Sequence, residues 1–459
     1  MAARPAPFRY ELAVPADARR ALATGWLGLA IGALLASGLF SVLLVLSRAP
    51  YVKDAFPLVD FFRVALVVHV DLSVLIWFSA FAGLLWSLHA APRLLWLGWT
   101  ALAGATAATA AMCVAPFVDP AAPVMSNYIP VLDGSVFLRA LALFGVSCAL
   151  LVGRALAAAP RVGPRLDGAA ALRFGLNAAA VAAAVALLAF AWSYAAVTAD
   201  VERKAYFEVL FWGGGHVLQF TWTLLMFAAW LWLAAAVGAR NPLSPRIAIL
   251  LFAIALASVF ATPVIYLAYE VISVEHYRMQ TWLMRIGGGL AIVPFAAAVT
   301  LALLNAPAPS KAAAPLRAAL LWSLALFGAG GLIGLAINAS NVKIPAHYHG
   351  SIVGVTLAFM GLVYYLLPRM GFGRPQGRLA ALQPALYGAG QLLHIAGLLW
   401  SGGYGVQRKV AGSEQVLRGA EQLAAMGLMG LGGLLAVAGG VLFALVVLRA
   451  IWTSSTSPS

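Results

Sequence analysis

Seven histidines, His69, His89, His216, His276, His347, His349 and His394, are the side chains best suited to chemistry in this 459-residue chain. Two of them lie two positions apart in "NVKIPAHYHGSIVG" (341–354), at the mouth of a long apolar run. On a helix, residues i and i+2 point about 200° apart. His347 and His349 therefore cannot grip one metal between them as an i, i+4 pair can. They can instead stand between two flat cofactors and offer one ring to each. His69 on another helix can complete the second axial position of one cofactor, and His216 on a third can lie over the open face of the other. A lone buried histidine is more often a hydrogen-bonded core residue, so the case rests on the set.

The elements that must position these rings are membrane helices. The chain is 63% hydrophobic and 10% charged, which excludes a soluble enzyme. Apolar runs long enough to span a bilayer recur near 21–46, 60–88, 95–117, 134–158, 171–198, 206–237, 246–273, 279–304, 314–340, 345–369, 380–403 and 421–450. Lipid offers free backbone groups no partner, so the fold class is an all-α integral membrane protein of about twelve transmembrane helices. Residues 1–20 read as a cytoplasmic N-terminal tail without a signal-peptide core, 21–450 as one twelve-helix membrane domain, and 451–459 as a C-terminal tail. The +14 net charge follows topology: with the N-terminus inside, Arg19, Arg20, Arg154, Arg161, Arg165, Arg173, Arg240, Arg246, Lys311 and Arg317, among others, fall near cytoplasmic ends. No nucleic-acid partner is expected. Cys113 and Cys148 match no metal-ligand spacing and read as buried apolar residues.

This tracing puts His69, His216, His347 and His349, from three spans, at roughly one depth in the outer half of the membrane. Ionisable groups there are costly and usually functional. Two haems divided between His347 and His349 satisfy the spacing. A haem with two histidine ligands is closed and suits electron transfer, whereas a singly ligated one keeps a face for a gas.

"FFRVALVVHVDLSVLIWF" in the second span, "FWGGGHVLQF" in the sixth and "IPAHYHGSIVGVTLAFMGLVYYLLPRMG" in the tenth resemble subunit I of the haem–copper oxidase superfamily. "ATPVIYLAYE", "TWLMRIGGGL" and "SGGYGVQRK" look most like its B-type oxygen reductases and the nitric oxide reductases. The resemblance covers nearly the whole chain. It implies a low-spin haem held by His69 and His349, a high-spin haem held by His347, and His216 as the first ligand of a second metal, copper or non-haem iron. It also implies Arg408 and Lys409 as a cationic pair for haem propionates.

Two departures qualify the resemblance. Where the family carries two adjacent histidines in span seven, this sequence has Leu267 and Ala268. Where the oxygen reductases of this branch carry a redox tyrosine, it has Phe220. One histidine does not make a copper or iron site, so an ordinary second-metal site is not expected. Glu208, Gln219 and Glu270 are the candidates for catalytic help at the distal face, and the resemblance to nitric oxide reductases, which use glutamate near their iron, also allows an iron site made from His216 and Glu270, with or without Glu208. The alternative for both glutamates is a place at the outer rim, as proton carriers or surface charges. Asp71 would orient a neighbour or a water. His89 would be interfacial, His276 would lie in the loop after span seven, and His394 would be a hydrogen-bonded core residue. The function implied is electron transfer to a haem that reduces a small gas, nitric oxide ahead of oxygen; a non-catalytic dihaem relay or gas sensor is the alternative. Partners would be membrane lipid and an electron donor, either a cytochrome c-type or copper-containing subunit or a quinol. The location would be a bacterial-type inner membrane, with the haems nearer its outer face.

Overall fold

The computed structural model describes residues 8–46, 61–198, 200–408, 417 and 419–455. Long helices dominate them. The strands are the short antiparallel pair Pro123–Val124 and Val131–Leu132, in the loop before Ser135. Eleven helices among the described residues are long and apolar enough to cross a membrane. The remaining run, 380–403, forms a helix too, α14 (Arg378–Gly403) of 26 residues, about 39 Å at 1.5 Å per residue, but Gln383, Gln391 and His394 make it more polar. The protein is an all-α, multi-pass membrane protein.

The chain divides into two compact units. One comprises residues 1–33 and 70–307, the other 34–69 and 308–459. The larger begins in α1 (Ala18–Leu46) and continues from the end of α2 (Phe61–Val70) through α3 (Trp77–His89), α4 (Leu95–Val118), α5 (Ser135–Ala157), α6 (Gly168–Ala196) and α7 (Arg203–Ala236). It ends with α8 (Pro245–Val259), α9 (Ala261–Ala268), α10 (Val274–Leu283) and α11 (Gly289–Leu304). Local chemistry sets the helix starts. Asp167 accepts from Ala170 N at 2.8 Å, Ser244 precedes Pro245 and accepts from Ile247 N, and Ser273 accepts from His276 N at 3.1 Å.

That last cap corrects the sequence reading. The seventh apolar run leaves helix at Ala268, and a new helix starts at Val274, so His276 is not a loop residue. It lies in the first turn of α10 and is 1% exposed. A π-helical turn at Asp71–Ile76 links α2 to α3 immediately after His69, a wide turn of the kind often found at functional sites.

The smaller unit holds α12 (Ala314–Leu335), α13 (Lys343–Leu366), α14 and α15 (Ala420–Ser455), with the adjoining parts of α1 and α2. Glycine lets its helices approach closely, the usual device where lipid supplies no hydrophobic drive for association. A Cβ on Gly350 of α13 would lie 2.6 Å from Gly330 Cα of α12. On α14, a Cβ at Gly390 would lie 2.6 Å from Ala436 N of α15.

Candidate functional site

α13 carries His347 and His349 in its first two turns, and the two rings do diverge. His347 turns to α12: its Nδ1 lies 2.7 Å from Gly330 O. Gly334, one turn further along α12, leaves the ring its space, since a Cβ there would sit 2.7 Å from His347 Nδ1. His349 turns to α14, where its ring meets His394 edge-on at 4.8 Å between centroids and 64° between planes. Tyr348 between them is 38% exposed.

His69, at the end of α2, is half-buried in the same unit. Its Nδ1 lies 3.0 Å from Ser37 O and 2.9 Å from both Ser37 Oγ and Ser41 Oγ. On α14, His394 Nδ1 lies 2.9 Å from Met429 O. In the larger unit, His216 Nδ1 lies 2.7 Å from Trp212 O, the carbonyl one turn back on its own helix. Thus His69, His216, His347 and His394 share one arrangement: Nδ1–H donates to a backbone carbonyl, and the lone pair falls on Nε2. This is how proteins fix a metal-binding imidazole, because the donated proton sets both tautomer and ring orientation. His349 is different, with no hydrogen bond among the described residues.

Around His216 the larger unit gathers aromatic and polar groups. Tyr128, from the loop before α5, packs its ring 4.8 Å from the imidazole, and Trp212 packs at 4.7 Å. Gly215 leaves room for the Tyr128 ring, and the phenol lies near the side chain of Gln219. Burial raises the pKa of the Tyr128 hydroxyl well above its ordinary value, so it holds its proton more tightly, and the Glu208 charge adds to this. Glu208 is half-buried, and its carboxylate accepts from Asn127 N at 2.9 Å and from Asn127 Nδ2. On α10, Tyr277 stacks on Trp212 at 4.3 Å, and Trp212 Nε1 donates to Tyr277 O at 3.3 Å. The same helix buries His276 and Gln280, one turn apart. His276 Nδ1 and both amide atoms of Gln280 have no hydrogen-bond partner among the described residues.

Sequence reasoning did not single out Tyr128 or Gln280. Tyr128 comes from a loop whose path no periodicity reveals. Gln280 carried a signal, a polar residue i+4 from His276 on an otherwise apolar span.

The remaining candidates scatter. Glu270 is exposed just beyond α9 and makes no side-chain hydrogen bond among the described residues. Leu267 is 76% exposed and Ala268 is exposed, so that end of α9 turns its aligned positions outward. Phe220 is buried. Asp71 is 1% exposed, and neither carboxylate oxygen has a partner among the described residues. His89 Nε2 pairs with Asn177 Oδ1 at 3.1 Å. Arg408 is half-buried within electrostatic reach of Tyr348, and Lys409 lies outside the described residues. Among the described residues no three His, Cys, Asp or Glu side chains converge to hold one metal ion. Leu267 and Ala268 carry no side chain able to bind a metal, so these span-seven positions do not fit the family's second-metal site.

The family model for cytochrome c and quinol oxidase polypeptide I matches residues 21–451, and the chain belongs to that family, the haem–copper oxidase subunit I family. Members bind haems in subunit I. The chain is 30% identical to an uncharacterized protein of Rickettsia prowazekii (strain Madrid E), over 92% of this chain and 94% of the relative. It is 24% identical to an uncharacterized protein of Aquifex aeolicus (strain VF5), over 78% of this chain and 88% of the relative.

Proposed function

We propose that this chain is a respiratory subunit in which His69 and His349 hold a low-spin haem, His347 holds a high-spin haem, and a small gas is reduced at the open face of the second. The observation that carries this reading is the divergence of His347 and His349 on α13, one ring toward Gly330 of α12 and the other toward His394 of α14. Bound there, the haems would supply one-electron carriage at the closed centre and gas binding at the open one.

The chain's own residues do the rest. Ser37 O and Gly330 O fix the His69 and His347 rings so that each presents Nε2. Arg408 and Lys409 are the cations for the propionates. Nitric oxide is favoured over oxygen because Phe220 has no hydroxyl to give up and the span-seven ligands are replaced. Reduction of nitric oxide needs only two electrons: 2 NO + 2 H⁺ + 2 e⁻ gives N₂O and H₂O. The protons would enter from the outer side along Glu208, Asn127, Tyr128 and Gln219, a sequence of polar side chains leading toward His216. Glu270, exposed beyond α9, would serve at the rim of that route. Electrons would come from a cytochrome c-type or copper-containing subunit or from a quinol, in a bacterial-type inner membrane.

Leu267 and Ala268, turned outward where the family carries metal-binding histidines, favour a second reading: a dihaem subunit that relays electrons or senses a gas without turnover. Anaerobic assays of the purified protein with an artificial reductant separate the two. Nitrous oxide production that falls strongly in Glu208→Gln supports the first reading. Gas binding without any turnover of nitric oxide or oxygen gives the second.

A further inference from the structure

His349 lacks the carbonyl acceptor that His69, His347 and His394 of the same unit each possess. The side chain facing it is another imidazole, His394, 4.8 Å away between centroids and 64° inclined. Because His394 Nδ1 faces Met429 O at 2.9 Å, its proton is committed there and its lone pair falls on Nε2. The position is built rather than accidental. Gly432 and Gly433 of α15 flank His394, the first pressed against its backbone N, so α15 approaches closely enough to bring the Met429 carbonyl to the ring. The two rings pack against each other without a hydrogen bond, so His349 must turn to bring an N–H onto the bare His394 nitrogen, which is able to accept it.

We propose that His394 becomes the positioning residue of His349 when haem binds: Met429 O accepts from His394 Nδ1–H, and His349, in turning its Nε2 to iron, brings its Nδ1–H onto His394 Nε2. The inference rests on the reading of His349 as a haem ligand. An acceptor on Nδ1–H makes the ligating imidazole more basic and so favours the ferric state. His394 would hold the low-spin haem at a lower potential than His349 alone. It would also fix the plane of the His349 ring.

The test is a redox titration, with low-temperature electron paramagnetic resonance, of the haem-loaded protein and its His394→Leu and His394→Gln variants. Glutamine keeps a donor for Met429 O and an acceptor for His349; leucine keeps neither. The proposal expects His394→Leu to retain the low-spin haem but raise its potential, changing the reduced-to-oxidised ratio about tenfold at fixed ambient potential, about 59 mV for one electron. The low-spin resonance should shift, and His394→Gln should restore most of both. An unchanged potential and resonance in His394→Leu overturns the proposal. Loss of haem in His394→Leu and His394→Gln alike overturns it too, since the role would then be packing. His349→Ala is the control for the underlying reading: if it keeps the bis-histidine spectrum, His349 is not the ligand and both fall together.

Discussion

The histidine carries the account at the scale of a single residue, through what its second nitrogen does. With Nδ1 committed to a carbonyl, the ring is held in one orientation and one tautomer. His347→Ala is accordingly expected to abolish carbon monoxide binding to the reduced protein while leaving the low-spin spectrum intact. Optical spectra of the two proteins side by side check this, and retention of carbon monoxide binding would remove His347 from the site. Away from the membrane interior, Asp133 pairs with Arg203, at 2.8 Å from Nε and also through Nη2. The Arg203 guanidinium holds the Asp133 carboxyl below the usual carboxylate range. A lowered folded-state pKa gives stability that is present above the ordinary aspartate value of about 3.9 and is lost as pH falls through the lowered one. Both groups are partly exposed, so the pair is worth about 0.2–1 kcal/mol. Asp133→Asn should unfold slightly earlier than the parent at neutral pH, and the difference should vanish in acid.

The helices matter through the glycines that set how closely they approach. Gly334→Ala places a methyl 2.7 Å from His347 Nδ1 and must push the ring off its Gly330 carbonyl. The expected result is a lower carbon monoxide-binding fraction with the low-spin spectrum unchanged; a parent-like fraction would show that the ring tolerates the move. Helices and their order were legible in the sequence because a bilayer demands long apolar runs, and so was the opposed pair His347 and His349, since an i, i+2 spacing leaves no freedom. The misplaced residue was His276. The apolar run through 273 hid a break at Ala268, and the Ser273 cap that restarts the helix was the available signal. The acceptors of the histidines were not legible. The Gly330, Ser37 and Met429 carbonyls come from neighbouring helices, and composition says nothing about which carbonyl a ring will find. Nor could spacing reveal that Tyr128 reaches His216 from a loop.

For the whole molecule, the question is what an oxidase-family chain does with Leu267 and Ala268 where the family carries its span-seven histidines. Elemental analysis of the purified protein should find two haem irons per chain and no stoichiometric copper or additional iron. One extra metal per chain, lost in His216→Ala, would show that His216 recruits donors other than the span-seven pair. The central claim, one closed and one open haem divided between His347 and His349, is tested most directly by the carbon monoxide difference spectrum of the reduced protein. The account predicts that about half of the haem binds carbon monoxide, following from single ligation at one of two centres. No binding at all would mean two closed centres or a single haem, and would contradict it.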